Sequence, residues 1–540
     1  MSLTISSLDD QKRALSLIYD IGILFLTYGM LWGLVVYLGG FDPHLAAPLN
    51  AIKAYKANWP DWFLWSMGGA GIAGAVLFGV NPYRRGGTYG GAHFASEKEI
   101  RKDLKLRGDK GLILGIHKGE YLRMDEPLSV LIYAPPGSGK TAGVIIPSLL
   151  SCGNSALVHD PKGELHDKTA GFRMRNRQRI IRFEPAAAVS AKWNPLGKEE
   201  LPDSWREKVS YIDRIANNLV NAGKQGDDYW TREARSLFVF FALYLTHRDG
   251  ETSLPGVREF ALSQADPQGF VSDLLDNTPG LPQRVMEEGN GILAKSGNEF
   301  SGVFGTFKSF LNSFGDEFIA ANTRSSDFQL RNLRDADTTI YLVVRNSDQS
   351  RLKLFASLFF ELATLVLIHA EPGPEERKVT FYLDEFVRLG NMREVLQMPA
   401  ISRSFKVNVL FVVQSMSQIV DIYGQSGADQ LRNTCSYHIV FAQNEQKIAE
   451  DISRSIGNRT RKKVTFSSGE RNITRNTSEA EEGIPLVLSQ EVMSLPAFET
   501  LVLMQNHFET PVRAKAAAWF KDGVMKKRVE GSLNVVKTAP

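Results

Sequence analysis

Leu128-Ser-Val-Leu-Ile-Tyr-Ala-Pro-Pro-Gly-Ser-Gly-Lys-Thr-Ala142 is the stretch on which the fold turns. Leu128–Tyr133 is apolar and β-rich, which predicts a buried strand. Ala134, Pro135, Pro136, Gly137, Ser138, Gly139, Lys140 and Thr141 form the loop that follows, and the sequence from Ala142 onward predicts a helix. Strand, glycine loop and helix in that order turn backbone N–H groups toward phosphate oxygens at a helix N-terminus. Gly137 and Gly139 supply the freedom to turn, Lys140 is expected to reach the β- and γ-phosphates of ATP, and Thr141 is expected to ligate Mg2+. Ala134 stands where the usual pattern has glycine, which is tolerable only if its φ is negative.

Three other segments complete such a site. Lys378-Val-Thr-Phe-Tyr-Leu-Asp384-Glu385-Phe386 is an apolar strand ending in two carboxylates. Asp384 is suited to hold the metal, and Glu385 to orient and polarise the attacking water. Val407-Asn-Val-Leu-Phe-Val-Val-Gln414 is a second buried strand, and its terminal amide would sit beside a crevice at the carboxyl end of a parallel sheet. Ring-forming ATPases often receive an arginine from a neighbour to stabilise transition-state charge. Arg403 is the candidate here and Arg393 the runner-up.

Lys140 and Asp384 lie 244 positions apart, whereas a strand–helix–strand unit takes about thirty residues. Residues 199–322 read as helices broken by Gly and Pro (Trp205–Ala222, Tyr229–Thr246, Ser263–Asp276, Phe300–Phe314), and strand character returns at Thr338–Val344. The expectation is an α/β fold with a parallel central sheet and an all-α domain set into it. Upstream, Ser96-Glu-Lys-Glu99 is a capping box, and Lys118-Gly119 splits two strand-like runs into a hairpin.

The first eighty residues differ in kind. Ile21–Gly40 and Trp62–Val80 carry no charge, and twenty helical residues span about 30 Å, the thickness of a bilayer's hydrocarbon. Trp59, Trp62 and Trp65 gather at one end of the second run as an interfacial belt would. Gly71, Ala75 and Gly79 place small residues on one face, where another helix can approach. Basic residues concentrate before the first run (Lys12, Arg13) and after the second, while the intervening loop 41–61 is charge-balanced. Two transmembrane helices with both termini cytoplasmic are expected. The organisation is then an anchor over 1–83, a first nucleotide-binding part over 84–198 beginning with a Gly-rich joint, the helical insertion 199–322, a second nucleotide-binding part 323–520, and a tail 521–540.

Composition narrows the field further. The 540 residues carry a net charge of +3, too little to argue for nucleic acid alone, and 43% hydrophobic residues exclude a mainly disordered chain. Two cysteines cannot build a disulfide framework or a four-cysteine metal site. Serine-hydrolase and zinc-protease signatures are absent, and His159 and His166 read as structural. The basic segment Arg459–Arg475, among Ser, Thr, Asn and Gly, reads as a solvated loop.

Further strings are more specific: Asp160-Pro-Lys162-Gly163-Glu164, Trp193-Asn-Pro-Leu196, Asp228-Tyr-Trp230-Thr-Arg-Glu-Ala234, Ser326-Asp-Phe328, and Gln414-Ser-Met-Ser-Gln418 with Tyr423-Gly424. With the two apolar runs they resemble the TraG/TraD-type coupling ATPases of type IV secretion and conjugation, over about residues 15–520. The sequence departs from the common form of that family at Ala134 and at Ile484-Pro485-Leu486. The resemblance implies a RecA-like core related to hexameric DNA pumps and a multi-pass protein of the bacterial inner membrane with a large cytoplasmic body. Its implied partners are further copies of itself in a hexameric ring, inner-membrane secretion components, and relaxase-bound single-stranded DNA or effector proteins. A nucleotide-gated docking scaffold with little hydrolysis, or an ATPase for protein cargo only, are the alternatives.

Overall fold

The computed structural model describes residues 8–40, 42–44, 47–55, 60–79, 89–221, 228–467 and 476–538. Trp59, the Arg84–Thr88 start of the Gly-rich joint, Arg471 and Arg475 lie outside the described residues. The chain divides into two compact units, residues 1–93 with 457–486, and residues 94–456 with 487–540.

In the first unit the apolar runs form α1 (Leu8–Gly39) and α3 (Asp61–Gly79), joined through the short α2 (Ala47–Tyr55). Val35, Ala47, Ala51 and Phe63 are buried where the three meet. Among the described residues, one helix is long and apolar enough to cross a membrane, Leu15–Gly39. The close approach of α1 and α3 falls at Gly74, where a Cβ would lie 2.8 Å from the Thr27 methyl, whereas Gly71 has open space around it. Gly71 and Ala75 of the expected small-residue face line the same apolar groove against α1 as Gly74 does.

The second unit is built on one sheet of eleven strands. In chain order the strands of the molecule are β1 (Leu112–His117), β2 (Glu120–Met124), β3 (Val130–Tyr133), β4 (Ser155–Asp160), β5 (Arg179–Phe183), β6 (Thr338–Val343), β7 (Val379–Leu383), β8 (Val407–Val413), β9 (Tyr437–Val440), β10 (Asn458–Ser467), β11 (Asn476–Pro485), β12 (Glu499–Met504) and β13 (Val512–Lys515). The sheet order is β2-β1-β13-β12-β9-β3-β8-β7-β4-β6-β5. From β9 to β5 neighbours are parallel, and the remaining strands extend the sheet antiparallel. β3, β4, β6, β7 and β8 are buried at every position, as apolar runs covered on both faces must be. The Ser96 hydroxyl accepts from Glu99 N at the start of α4 (Glu97–Lys102), while Glu99 returns a bond to Ser96 N, so the capping box forms as read.

After β3 the chain makes a π-helical turn, Thr141–Ile145, before the short α5 (Ile146–Leu149), and α6 (Glu164–Arg175) follows β4. Between β5 and β6 run α7 (Trp205–Asn221), α8 (Tyr229–Asp249), α9 (Leu254–Ser263), α10 (Pro267–Asn277), α11 (Gln283–Leu293), α12 (Gly297–Leu311) and α13 (Glu317–Thr323). The strings Trp193–Leu196 and Ser326–Phe328 clasp the two ends of this helical excursion. Trp193 N donates to Asn322 O, Asn194 N to the Ser326 hydroxyl at 2.9 Å, and the Asn194 amide to Thr252 O and Arg324 O. The Trp193 ring packs edge-on against Phe359 of α14 (Gln349–Ile368), and its N–H donates to Glu200. Aromatic pairs and a satisfied indole N–H of this kind fix one geometry where two segments cross.

Two expectations are corrected. The segment read as a solvated loop is a ladder over β10 and β11, with residues 468–475 outside the described ones. Two of the basic residues stand opposite acidic ones: Arg461 faces Glu482, with which it forms an ion pair, and Lys462 faces Glu481, whereas Arg459 and Lys463 face Ile484 and Ala480. Opposite charges across a strand pair stabilise the pairing, which polarity along one strand does not reveal. The expected tail 521–540 contains a helix, Gly523–Thr538, whose Met525 and Val529 are buried and whose Ser532 hydroxyl accepts from Gly171 N of α6.

Candidate functional site

The loop after β3 continues the sheet before it turns, because Ala134 N donates to Val413 O of β8 at 2.9 Å. Ala134 is not among the residues with positive φ, so its Cβ costs nothing. Gly137 and Gly139 do have positive φ, +77° and +88°. At Gly139 a Cβ would also lie 2.5 Å from the Phe498 ring, so no other residue fits there.

Lys140, Thr141, Asp384, Glu385 and Gln414 come together at the carboxyl ends of β3, β7 and β8, with Gly137 and Gly139, around a cleft of about 330 Å³. The Thr141 hydroxyl donates to Asp384 Oδ2 at 2.9 Å, and Lys140 Nζ stands 3.9 Å from Asp384 Oδ1. Oδ1 itself is buried and has no hydrogen-bond partner. Burial pushes the Asp384 carboxyl pKa upward, and Lys140 and the Thr141 hydroxyl only partly oppose this. A buried carboxylate oxygen with an open lone pair beside a threonine hydroxyl is an oxygen donor set of the kind Mg2+ takes, so the residues present fit that ion.

Glu385 begins the turn Phe386–Leu389 in the left-handed region, φ 62° and ψ 49°. A side chain held there by its surroundings marks a place where local comfort has yielded to position. The turn is held by Phe386, which stacks on Tyr423 at 5.7 Å, while the Tyr423 hydroxyl accepts from Met392 N and donates to Gly390 O. Gln414 donates to Glu385 Oε1 at 3.4 Å. Behind them His159 is fully buried, its Nδ1 paired with the Asp384 carbonyl, and burial pushes its pKa down to about 4. It is a neutral support for the Asp384 backbone, consistent with a structural histidine.

The arginines are elsewhere. Arg403 precedes β8 and so lies at the amino end of the sheet, paired with Glu126 at 2.9 Å and 72% exposed. One strand length, about 20 Å, separates that end from Gln414, so Arg403 does not reach the cleft of its own chain. Arg393 is exposed at the start of α15 (Arg393–Ile401).

Sequence reasoning gave no role at the cleft to Asp160, Lys162, Glu164, Lys168 or Trp519, all of which line it. Asp160 is buried and accepts from His166 N at 2.8 Å, which fixes the turn into α6, and burial pushes its pKa up to about 6. The string Asp160–Glu164 carried the signal, because it follows a parallel strand adjacent to β7. Trp519 arrives from a remote segment with no local mark.

The family described as Type IV secretory system Conjugative DNA transfer matches residues 89–539. The chain belongs to this family. Protein VirD4 of Agrobacterium fabrum (strain C58) is 27% identical over 418 residues, covering 76% of this chain and 62% of its own length. Conjugal transfer protein TraG of Escherichia coli is 28% identical over 415 residues, covering 70% of this chain and 64% of its own. The chain thus matches less than two thirds of the length of these relatives. Among solved structures, the unbound bacterial conjugative coupling protein TrwBdeltaN70 superposes with a TM-score of 0.61 at 17% identity, over 78% of this chain and 92% of that one. TrwB in complex with the ATP analogue ADPNP gives 0.60 at 17% identity, over 79% and 93%, and TrwB with ADP and Mg2+ gives 0.57, also at 17% and over 79% and 93%. The coupling-protein family and its α/β fold thus agree with the sequence resemblance.

Proposed function

We propose that this chain is the ATP-hydrolysing coupling protein of a type IV secretion or conjugation system. It recruits relaxase-bound single-stranded DNA, effector proteins, or both, and spends ATP to drive their transfer. The observation that carries this reading is the meeting of Thr141 with Asp384 at 2.9 Å, two segments 243 positions apart, around an Asp384 oxygen left without a hydrogen-bond partner. Family membership supports the transfer role, and the nucleotides held by TrwB support ATP with Mg2+ as the fuel.

In this reading the loop N–H groups at Gly137 and Gly139 and the Lys140 ammonium bind the phosphates, and Thr141 and Asp384 hold Mg2+. The ion when bound would neutralise charge on the β- and γ-phosphate oxygens. Glu385 orients water and takes the proton it sheds as its oxygen bonds to the γ-phosphorus. The bond to the bridging oxygen breaks with its electron pair on ADP. Gln414, touching Glu385, would report the state of the γ-phosphate to the rest of β8.

The wider assembly belongs to the same proposal. α1 and α3 would form a two-helix anchor in the bacterial inner membrane with both termini cytoplasmic. Residues 199–322 would act as an all-α domain inserted between the two parts of the nucleotide-binding core, 84–198 and 323–520. Further copies would complete a ring, a hexamer as in related DNA pumps, and a trans arginine, Arg403 or Arg393, would act on a neighbour's site and not on its own.

The test uses the full chain. Lys140→Ala and Glu385→Gln are expected to lower ATP turnover by at least about a hundredfold and to abolish transfer between cells, at normal abundance in the membrane. Glu385→Gln should still bind nucleotide. Undiminished transfer in either variant would reject the motor.

A further inference from the structure

Glu385, the proposed base, is held from a third side. Arg388 Nε stands 3.0 Å from Glu385 Oε2, while Gln414 engages Oε1. The left-handed backbone at Glu385 and the turn after it bring a residue three positions later back over the carboxylate. Arg388 is itself tethered. Its Nη1 donates to Asn346 Oδ1 at 2.8 Å, and its carbonyl accepts from Gln349 at 3.1 Å. Asn346 lies in the loop between β6 and α14, and Gln349 opens α14. Next to Asn346, Arg345 pairs with the buried Glu184 beyond the end of β5. Polar contacts thus run from Gln414 through Glu385 and Arg388 to Asn346, and its chain neighbour Arg345 is in turn paired at the sheet's β5 edge.

We propose that Arg388 is a positioning residue for ATP hydrolysis: it fixes the Glu385 carboxylate against the β6–α14 loop so that the carboxylate meets water in one orientation. The proposal rests on Glu385 being the base. A carboxylate on three flexible side-chain bonds samples several rotamers, and an ion pair with a guanidinium that is itself tethered to Asn346 favours one of them. Preorganisation of this sort acts on the chemical step, since a misplacement of about 1 Å can cost on the order of a hundredfold. Arg388 touches neither the glycine loop nor Thr141, so nucleotide affinity does not depend on it. The side chain is 43% exposed, which leaves its place open to a small cation from solvent once it is removed.

The experiment measures steady-state ATP turnover of the full chain in detergent for the parent, Glu385→Gln, Arg388→Ala, Arg388→Lys and Asn346→Ala. Arg388→Ala should lower kcat roughly ten- to a hundredfold with KM for ATP unchanged. Millimolar guanidinium should restore part of the loss in Arg388→Ala and none in Glu385→Gln. Arg388→Lys should fall between, and Asn346→Ala should show a smaller loss in kcat alone. Parental kcat in Arg388→Ala beside a dead Glu385→Gln would overturn the role of Arg388 and leave the base in place. A loss in Arg388→Ala that raises KM equally, or that guanidinium does not touch, would also overturn it, as plain damage to the turn. Full turnover in Glu385→Gln would instead remove the reading on which the proposal rests.

Discussion

Two charges are buried at opposite ends of the same sheet, and they are treated in opposite ways. Arg173, near the end of α6, is 2% exposed and lies by the amino ends of β4 and β6. Its Nε donates to the Thr339 hydroxyl, its Nη1 to Leu149 O and Cys152 O, and its Nη2 to Asn154 O. Asp384, at the carboxyl end of β7, is 6% exposed and keeps one oxygen without a hydrogen-bond partner, its ion-pair partner Lys140 standing 3.9 Å away. Arg173 closes a part of the fold, using its fork to satisfy carbonyls stranded at the end of α5. Asp384 holds a place open. The difference marks the functional end of the sheet more sharply than burial or charge alone, because a native interior seldom tolerates an orphaned charged atom without a use for it.

The contrast predicts that the largest stability effect sits at Arg173, far from any chemistry. Arg173→Met should cost about 3–5 kcal/mol, because it strands the Leu149, Cys152 and Asn154 carbonyls together, while the Thr339 hydroxyl keeps its bond to Gln178. Arg173→Lys should recover only part of this, since an ammonium cannot reproduce the planar fork. The urea midpoint of the full chain in detergent measures both. A loss below about 1 kcal/mol for Arg173→Met would mean that water replaces the guanidinium, and the two buried charges would then not differ in kind.

The functional end was largely legible from sequence, and the reasons are local. The glycine loop lies between a strand and a helix that are each contiguous, and Asp384 and Gln414 each end an unbroken apolar run. What could not be read depends on partners far along the chain. The order β9-β3-β8-β7-β4-β6-β5 appears in no local pattern. The β10–β11 ladder looks like a polar loop until Arg461 is set opposite Glu482. Trp519 reaches the cleft from a segment without any phosphate-site mark. Arg403 is a different case: a residue four positions before a parallel strand stands at its amino end, and phosphate sites stand at carboxyl ends. That position lies outside its own cleft, which the trans role expected of Arg403 does not require it to reach.

Glu361 lies between the two extremes and sharpens the comparison. It is buried in α14, and both its oxygens accept from Glu394 N at the start of α15, at 3.2 and 3.3 Å. Burial still pushes its pKa up to about 8. The folded-state value lies above the unfolded one, so the folded chain binds more protons between about pH 4.5 and pH 8. Stability therefore falls as pH rises through that window. Glu361→Gln should stabilise the protein at pH 8.5, by an amount that shrinks as pH falls and vanishes at pH 4. A pH-independent difference between the two chains would show that hydrogen bonds, and not charge, decide this position.

The smallest shift in stability is expected where the loss of activity is complete. Asp384→Asn keeps an oxygen to accept from the Thr141 hydroxyl and removes the charge that burial opposes. The Asp384 pKa is raised in the folded chain, first by desolvation, with Lys140 opposing. Stability is therefore lost as pH rises from the unfolded-state value through the folded-state one, and the advantage of asparagine grows across that window and is constant above it. The thermal midpoint of Asp384→Asn at pH 8 should equal that of the parent or exceed it by about 1–2 °C, while ATP turnover disappears for want of an anionic metal ligand. That trade of stability for function is expected of an active-site charge and not of a structural one. A midpoint below the parent's would mean that Lys140 and Asp384 form an ion pair that holds the fold, 3.9 Å apart as they are. The orphaned oxygen would then be an incidental gap in packing, and the distinction between the two ends of the sheet would fall with it.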